Sequence, residues 1–294
     1  MTKFILKCIC LLLGVAAFIV LLMFGEFFRM QRKIDAEYTL SPEQTVLFLG
    51  SSDTTFSISS EPKWHNKIIT VYSSSVQSAC ARLLELERRG QLRRVKNFVL
   101  LFGYRSITSQ NNDMMYFAWY NELPVTWRYL SLYPGHWYDY VKCVIKSLRL
   151  PFGFVIQQRP SEGLEHLPNR SASTKAKIYS GAIGEAKSLY DDSRRPIDWE
   201  SSLKNAFKTM QSVCVRNDIR FSVVQTEVIK TYTDMLPIGS KSRFGEFVSW
   251  IELQGIEYKY LNCNYDDDEF YDAFHLNNNG QIKFTQRLYE AVQL

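Results

Sequence analysis

An α/β fold is what this sequence predicts: a three-layer α/β/α sandwich around a five-stranded parallel sheet, with a transmembrane helix ahead of it. Three observations lead there. Five short, β-rich apolar runs follow one another at Thr45–Leu49, Ile68–Tyr72, Asn97–Phe102, Arg220–Gln225 and Ile256–Leu261. They are nearly continuous in apolar character, as strands buried on both faces of a sheet are. Helical patterns alternate with them, and that alternation yields parallel crossovers with helices on both faces.

Taken in order, the chain opens with an unbroken apolar run of about 17 residues, Cys8 to Phe24, at the short end for a membrane span. Lys3 and Lys7 precede it, while Arg29, Arg32 and Lys33 follow, so charge alone leaves the orientation open. No small-x-small cleavage site follows Phe24, which favours an uncleaved anchor over residues 1–27 rather than a signal peptide. Residues 28–44 are polar, carry Pro42 and suit a short stalk. The α/β domain is expected over 45–294, interrupted by an insertion at about 105–198.

Within that domain, Val76, Ala79, Cys80, Leu83 and Leu84 recur at helical spacing, and Gly90 ends the segment. Trp199 through Cys214 forms the clearest amphipathic pattern, with Asp198 placed as its N-cap. Phe244, Phe247, Val248 and Ile251 mark a helix stopped at Gly255, and Phe284, Leu288, Ala291 and Val292 mark the last one. The insertion is aromatic-rich from Tyr116 to Tyr140, then polar from Gln157 to Ser173. It is read as a cover over the sheet's active edge, its aromatics weighted towards packing.

Composition narrows the function. A hydrophobic fraction of 46% and a charged fraction of 22% describe a globular chain. The formal charge of +5 is modest, and the one basic cluster (Arg88, Arg89, Arg93, Arg94, Lys96) flanks a helix end, where cations suit the dipole. Nothing accompanies it that would read nucleic acid. The soluble cysteines Cys80, Cys143, Cys214 and Cys263 are widely spaced, without a zinc pattern; Cys80 and Cys214 fall on apolar helix faces and read as buried thiols. His65, His136 and His166 are isolated, and Asp266-Asp267-Asp268-Glu269 lacks a calcium-loop pattern, so neither a metal nor a cofactor is expected. No glycine loop for phosphates is present.

Chemistry concentrates in two distant stretches. Phe270 to Gly280 carries Asp272 three residues before His275, ahead of the last helix. Val46 to Asp53 carries Ser52 just beyond the first strand, after Gly50-Ser51. A serine hydroxyl needs a base, and the base needs an orienting group. His275 can take the proton from Ser52, and Asp272 can set the imidazole tautomer. Gly50 permits a tight turn presenting Ser52 at the carboxyl edge of the sheet, where sites of such folds gather.

These two motifs, Gly50-Ser51-Ser52 after the first strand and Asp272-x-x-His275-Leu276-Asn277 with Gly280 before a closing helix, resemble those of the SGNH/GDSL hydrolase superfamily. Its membrane-anchored bacterial branch, which modifies acyl groups on envelope polymers, is the closer likeness. The resemblance covers Thr45–Phe102 and Arg220–Leu294 and implies a flavodoxin-like, SGNH-type sheet. It implies Ser52 as nucleophile, His275 as base and Asp272 as its orienter. The family's oxyanion glycine would fall within Tyr72-Ser73-Ser74-Ser75, and its asparagine near Phe102-Gly103-Tyr104-Arg105; neither residue stands there. The Ser52 amide, Ser74 and Arg105 are the candidate donors instead. The implied function is an anchored serine esterase or O-acyltransferase acting on an envelope glycan from the extracytoplasmic side. Its partners would be that polysaccharide or an acyl donor, with a membrane acyltransferase as a candidate. The alternative is an inactive SGNH-fold module that binds glycan or scaffolds an envelope complex.

Overall fold

The computed structural model describes residues 2–55, 57–59, 62–70, 75–107, 123–133 and 199–292, apart from some side chains of the first helix and those of Ser52 and Asp53. Five strands form one wholly parallel sheet: β1 (Val46–Gly50), β2 (Asn66–Thr70), β3 (Asn97–Phe102), β4 (Arg220–Gln225) and β5 (Glu257–Lys259). Their order is β2-β1-β3-β4-β5, the arrangement of flavodoxin-type sheets, with its crossover at β1 and β3.

Side chains alternate across this sheet. Leu47, Leu49, Phe98, Leu100, Phe102, Phe221 and Val223 point to one face, while Val46, Phe48, Val99, Leu101 and Val224 point to the other. The first face is covered by α3 (Val76–Arg88), α5 (Trp199–Arg216) and α7 (Ile238–Leu253). Against it Phe102 meets the rings of Phe207, Phe244 and Phe247 at 5.4, 5.7 and 5.4 Å. The second face is covered by α6 (Lys230–Met235) and α8 (Asn278–Val292) through Tyr232, Phe284, Leu288 and Val292. Expected β3 and β4 match in full, and β5 is shorter than expected. β2 begins two residues early, at Asn66 and Lys67, because an edge strand tolerates half-exposed polar positions. Gly90 and Gly255 stand at φ of 67° and 74° after their helices, the left-handed stop that glycine supplies.

The N-terminal helix α1 runs unbroken from Thr2 to Glu37. Its described side chains from Phe4 to Phe28 include Leu11, Leu13, Phe18 and Leu21, each more than 60% exposed. Among the described residues no helix is long and apolar enough to cross a membrane. Residues 28–37, within the segment expected as a stalk, are helical. Met30, Ile34 and Tyr38 recur every fourth residue and are buried, Ile34 and Tyr38 within the domain core. Of the aromatic insertion, only 105–107 and 123–133 lie among the described residues. They include α4 (Leu123–Arg128), which packs on α3.

The basic cluster turns partly inward. Glu85 on α3, its side chain wholly buried, accepts from Arg88 at 2.7 Å, Arg89 at 2.8 Å and Arg128 of α4 at 2.8 Å. Arg89 also reaches Asp35 of α1 at 2.6 Å. Burial alone would raise the Glu85 pKa, but the three guanidiniums overcome it and hold the carboxyl at about 2, against an ordinary 4.5. A carboxylate depressed on folding contributes stability above its unfolded pKa, and that contribution is lost as the pH falls through the folded value. Glu85 therefore supports the fold fully above about pH 4.5 and loses its effect towards about pH 2. Glu85→Ala removes an acceptor shared by three guanidiniums, of which Arg89 keeps Asp35, and is expected to cost about 3 kcal/mol in urea unfolding at pH 7. The deficit should shrink as both proteins are titrated towards pH 2.

Candidate active site

The loop from Phe270 to Leu276 is a closed hairpin built by its own backbone. Phe270 and Leu276 form an antiparallel bridge, and the Tyr271 N–H donates to the His275 carbonyl at 2.8 Å. Within it Asp272 satisfies two amides: its Oδ1 accepts from the N–H groups of Phe274 and His275, both at 2.9 Å. Its Oδ2 lies 2.8 Å from Nδ1 of His275. One carboxylate thus shapes the turn with one oxygen and orients the imidazole with the other. Asn277, fully buried, then starts α8 by accepting from the amides of Asn279 and Gly280 at 3.1 and 3.2 Å. Gly280 is required by space: a Cβ there would stand 2.4 Å from the Glu269 carbonyl.

Burial pushes the Asp272 carboxyl up, but the His275 hydrogen bond and charge, with the two amides, outweigh it and leave the pKa below its ordinary value. Asp272 is therefore a carboxylate at neutral pH. With Nδ1–H donated to it, the imidazole keeps its other nitrogen as a base, and the arriving proton is stabilised by the adjacent negative charge.

The serine segment is held from beneath. β1 ends at Gly50, Ser51 follows, and α2 (Ser52–Thr55) begins at Ser52, with the Ser51 carbonyl accepting from Thr54 N–H at 3.0 Å. Gly50 does not take a positive φ. It is needed because a Cβ would fall 2.0 Å from Oγ1 of the buried Thr54, so α2 packs directly on the strand end. Arg82, fully buried on α3, donates to the Gly50 carbonyl at 2.8 Å and fixes that end from below. The Ser52 side chain lies outside the described set, as does all of Ser74.

The two stretches, more than 200 residues apart, are stitched by one face of α8. Gln281 Nε2 donates to the carbonyls of Thr55 and Ile58, both at 3.0 Å. Thr285 Oγ1 accepts the Ser59 N–H at 2.8 Å, and the Tyr289 hydroxyl donates to the Trp64 carbonyl at 2.6 Å. Residues 281, 285 and 289 lie four apart on the helix, so a single stripe brings the serine-bearing segment to the histidine-bearing one. Gln281→Leu keeps the bulk and removes both amide donors to buried carbonyls. It is expected to cost about 2 kcal/mol in chemical denaturation and to lower turnover more than it raises KM.

Arg105, the other expected donor, sits one turn beyond β3 with its guanidinium 4.3 Å over the Phe274 ring, beside His275. The acidic run forms a capping box, with Glu269 accepting from Asp266 N–H at 2.8 Å and pairing with Lys283 at 3.0 Å. Among the described residues, no group of three or more His, Cys, Asp or Glu side chains could hold a metal. Cys80 and Cys214 are buried free thiols as expected, and burial raises both pKa values, that of Cys214 to about 12. Cys143, His136 and His166 lie outside the described residues. A cleft of about 380 Å³ lined by Cys214, Arg220 and Glu257 opens at the N-terminal ends of β4 and β5, the edge opposite the site.

A second buried carboxyl, besides Glu85, gave no sign in the sequence. Glu227, two residues past β4, is 8% exposed and leaves its Oε1 without a hydrogen-bond partner. An isolated glutamate after a strand gives no sign that it will be buried.

No protein-family model matches the chain, and no curated protein is significantly similar to it. Among solved structures, one from Bacteroides fragilis NCTC 9343, described as "a putative acylhydrolase", is similar at a TM-score of 0.42 and 9% identity. The likeness covers 90% of this chain and 95% of that one. At that level it carries no argument about the site, which rests on this chain's own geometry. What the fold and the described geometry define is an α/β protein with an oriented Asp–His pair at the carboxyl edge of a parallel sheet.

Proposed function

We propose that this chain is an SGNH-type serine hydrolase or acyltransferase that works through an acyl-enzyme on Ser52. The observation that carries the reading is the Asp272–His275 pair, 2.8 Å apart, stitched through Gln281 to the helix that begins at Ser52. In the proposed reaction the Ser52 hydroxyl attacks an ester carbonyl and gives its proton to His275. Asp272 stabilises the resulting imidazolium, and the same proton leaves with the departing alcohol. Water or a second hydroxyl then resolves the ester on Ser52, giving hydrolysis or transfer. The Ser52 amide, Ser74 and Arg105 are the proposed donors to the oxyanion, and the position of Arg105 beside Phe274 supports its inclusion.

The substrate class we infer is an O-acyl group on an envelope glycan, met on the extracytoplasmic side by a domain anchored through residues 1–27. The exposed apolar side chains of α1 support the anchor. The test is hydrolysis of 4-nitrophenyl acetate by the full-length protein in detergent, beside Ser52→Ala. Turnover that the substitution abolishes bears the reading out. Turnover that persists in Ser52→Ala removes it, and a folded protein that hydrolyses neither this ester nor acetylated glycan favours an inactive glycan-binding module.

A further inference from the structure

Glu227 lies where three segments at the carboxyl edge of the sheet converge. Thr226 beside it packs so closely on Gly103 that a Cβ there would fall 2.0 Å from the threonine Oγ1. Ile229, two residues on, donates its N–H to the Ala273 carbonyl at 3.1 Å, within the Asp272–His275 loop. The Cys263 N–H reaches the Glu227 carboxyl from the segment after β5. Tyr258 and Tyr260 each lie within electrostatic reach of both Glu227 and Tyr104, the first residue of the turn after β3. Tyr258 donates to Gln225 at 2.5 Å, and Tyr260 is 54% exposed at the rim.

A carboxyl that is nine-tenths buried, with one oxygen unpartnered, is costly unless something compensates it. Aromatic rings beside a buried anion are the chemistry that receives an ammonium group, through ring faces and charge together. We propose that Glu227, with Tyr104, Tyr258 and Tyr260, forms a subsite for an ammonium group of the substrate, next to the Asp272–His275 pair. This rests on the serine-hydrolase reading for its place in a reaction, and it names the substrate class: an ester carrying an amine on its acyl or its alcohol side.

Burial raises the Glu227 pKa to about 7, with only the Cys263 amide opposing it. Tyr258, Tyr260, Tyr265 and the Cys263 thiol, which feel the Glu227 charge, and Tyr104 beside Tyr258 and Tyr260 are all pushed upward, first by burial, and are neutral near that pH. Asp272 is the anion across Ala273, beside His275, and Lys283 and Arg287 are the cations on the Cys263 side. The subsite therefore becomes anionic as the pH rises through about 7, and cation binding should tighten over the same interval.

Two matched pairs of esters test this on the full-length protein in detergent. Alanine methyl ester against methyl isobutyrate places the charge on the acyl side, and acetylcholine against 3,3-dimethylbutyl acetate places it on the alcohol side. The expected result is a preference for the cationic member of one pair. Glu227→Gln should lower kcat/KM for that member at least tenfold further than for its neutral isostere, while Glu227→Asp retains part of the preference. Equal changes for both members of both pairs overturn the subsite. Binding of methylammonium and tetramethylammonium to Ser52→Ala, followed by NMR, separates this inference from the serine mechanism. Binding lost in the Ser52→Ala/Glu227→Gln protein supports the subsite even where Ser52 proves not to be the nucleophile. Binding of both cations that is absent, or indifferent to Glu227→Gln, overturns it.

Discussion

Ser52→Ala and His275→Ala are each expected to lower kcat by at least about 10³-fold, and the double substitution to lose no more than the worse single one. The reason is mechanical. A serine hydroxyl near neutral pH attacks only if its proton has somewhere to go, and in the proposed mechanism it goes to His275, whose ring lies 2.8 Å from the Asp272 carboxylate. Removing either partner ends the same step, so their losses cannot add. Steady-state kinetics on the three variants check this directly. Losses that multiplied would mean the two residues act in separate steps. The hairpin is closed by the backbone bond between Tyr271 and His275, so His275→Ala should still fold, with a stability loss limited to the ring's bond to the Asp272 carboxylate.

Asp272→Asn should lower kcat by about 10⁴-fold with little change in KM. An asparagine can keep Oδ1 as acceptor for the amides of Phe274 and His275, which preserves the hairpin. Its amide nitrogen then stands where Oδ2 was, 2.8 Å from Nδ1. A donor at that point requires Nδ1 to be the acceptor and moves the ring proton to the other nitrogen, which can no longer receive one from serine. Asp272→Ala removes the turn acceptor as well and should show a stability deficit that Asp272→Asn lacks. The comparison separates orientation of the base from construction of the loop.

The parts that sequence revealed are those whose signal is local. β3 and β4 read correctly to the residue because central strands are continuously apolar between polar flanks. The contact between Asp272 and His275 was legible because its partners stand three residues apart in one turn. What stayed hidden depends on neighbours far along the chain. Gln281 and Thr285 look like the polar face of an amphipathic helix, yet both are buried against the segment following Ser52. Met30, Ile34 and Tyr38 carry a helical period within a polar stretch, too sparse to distinguish a packed helix end from a stalk. Glu85 and Glu227 are ordinary glutamates in sequence. One is buried under three arginines and the other is opposed chiefly by its own burial, and the fold alone sets their pKa values apart, at about 2 and about 7.

The measurement that bears most directly on the central claim is peptide mass spectrometry of the full-length protein after reaction with a fluorophosphonate, which captures activated serines. The account predicts a single phosphonyl adduct on Ser52, absent from His275→Ala. An adduct on another serine, or one on Ser52 that forms equally well without His275, would contradict it.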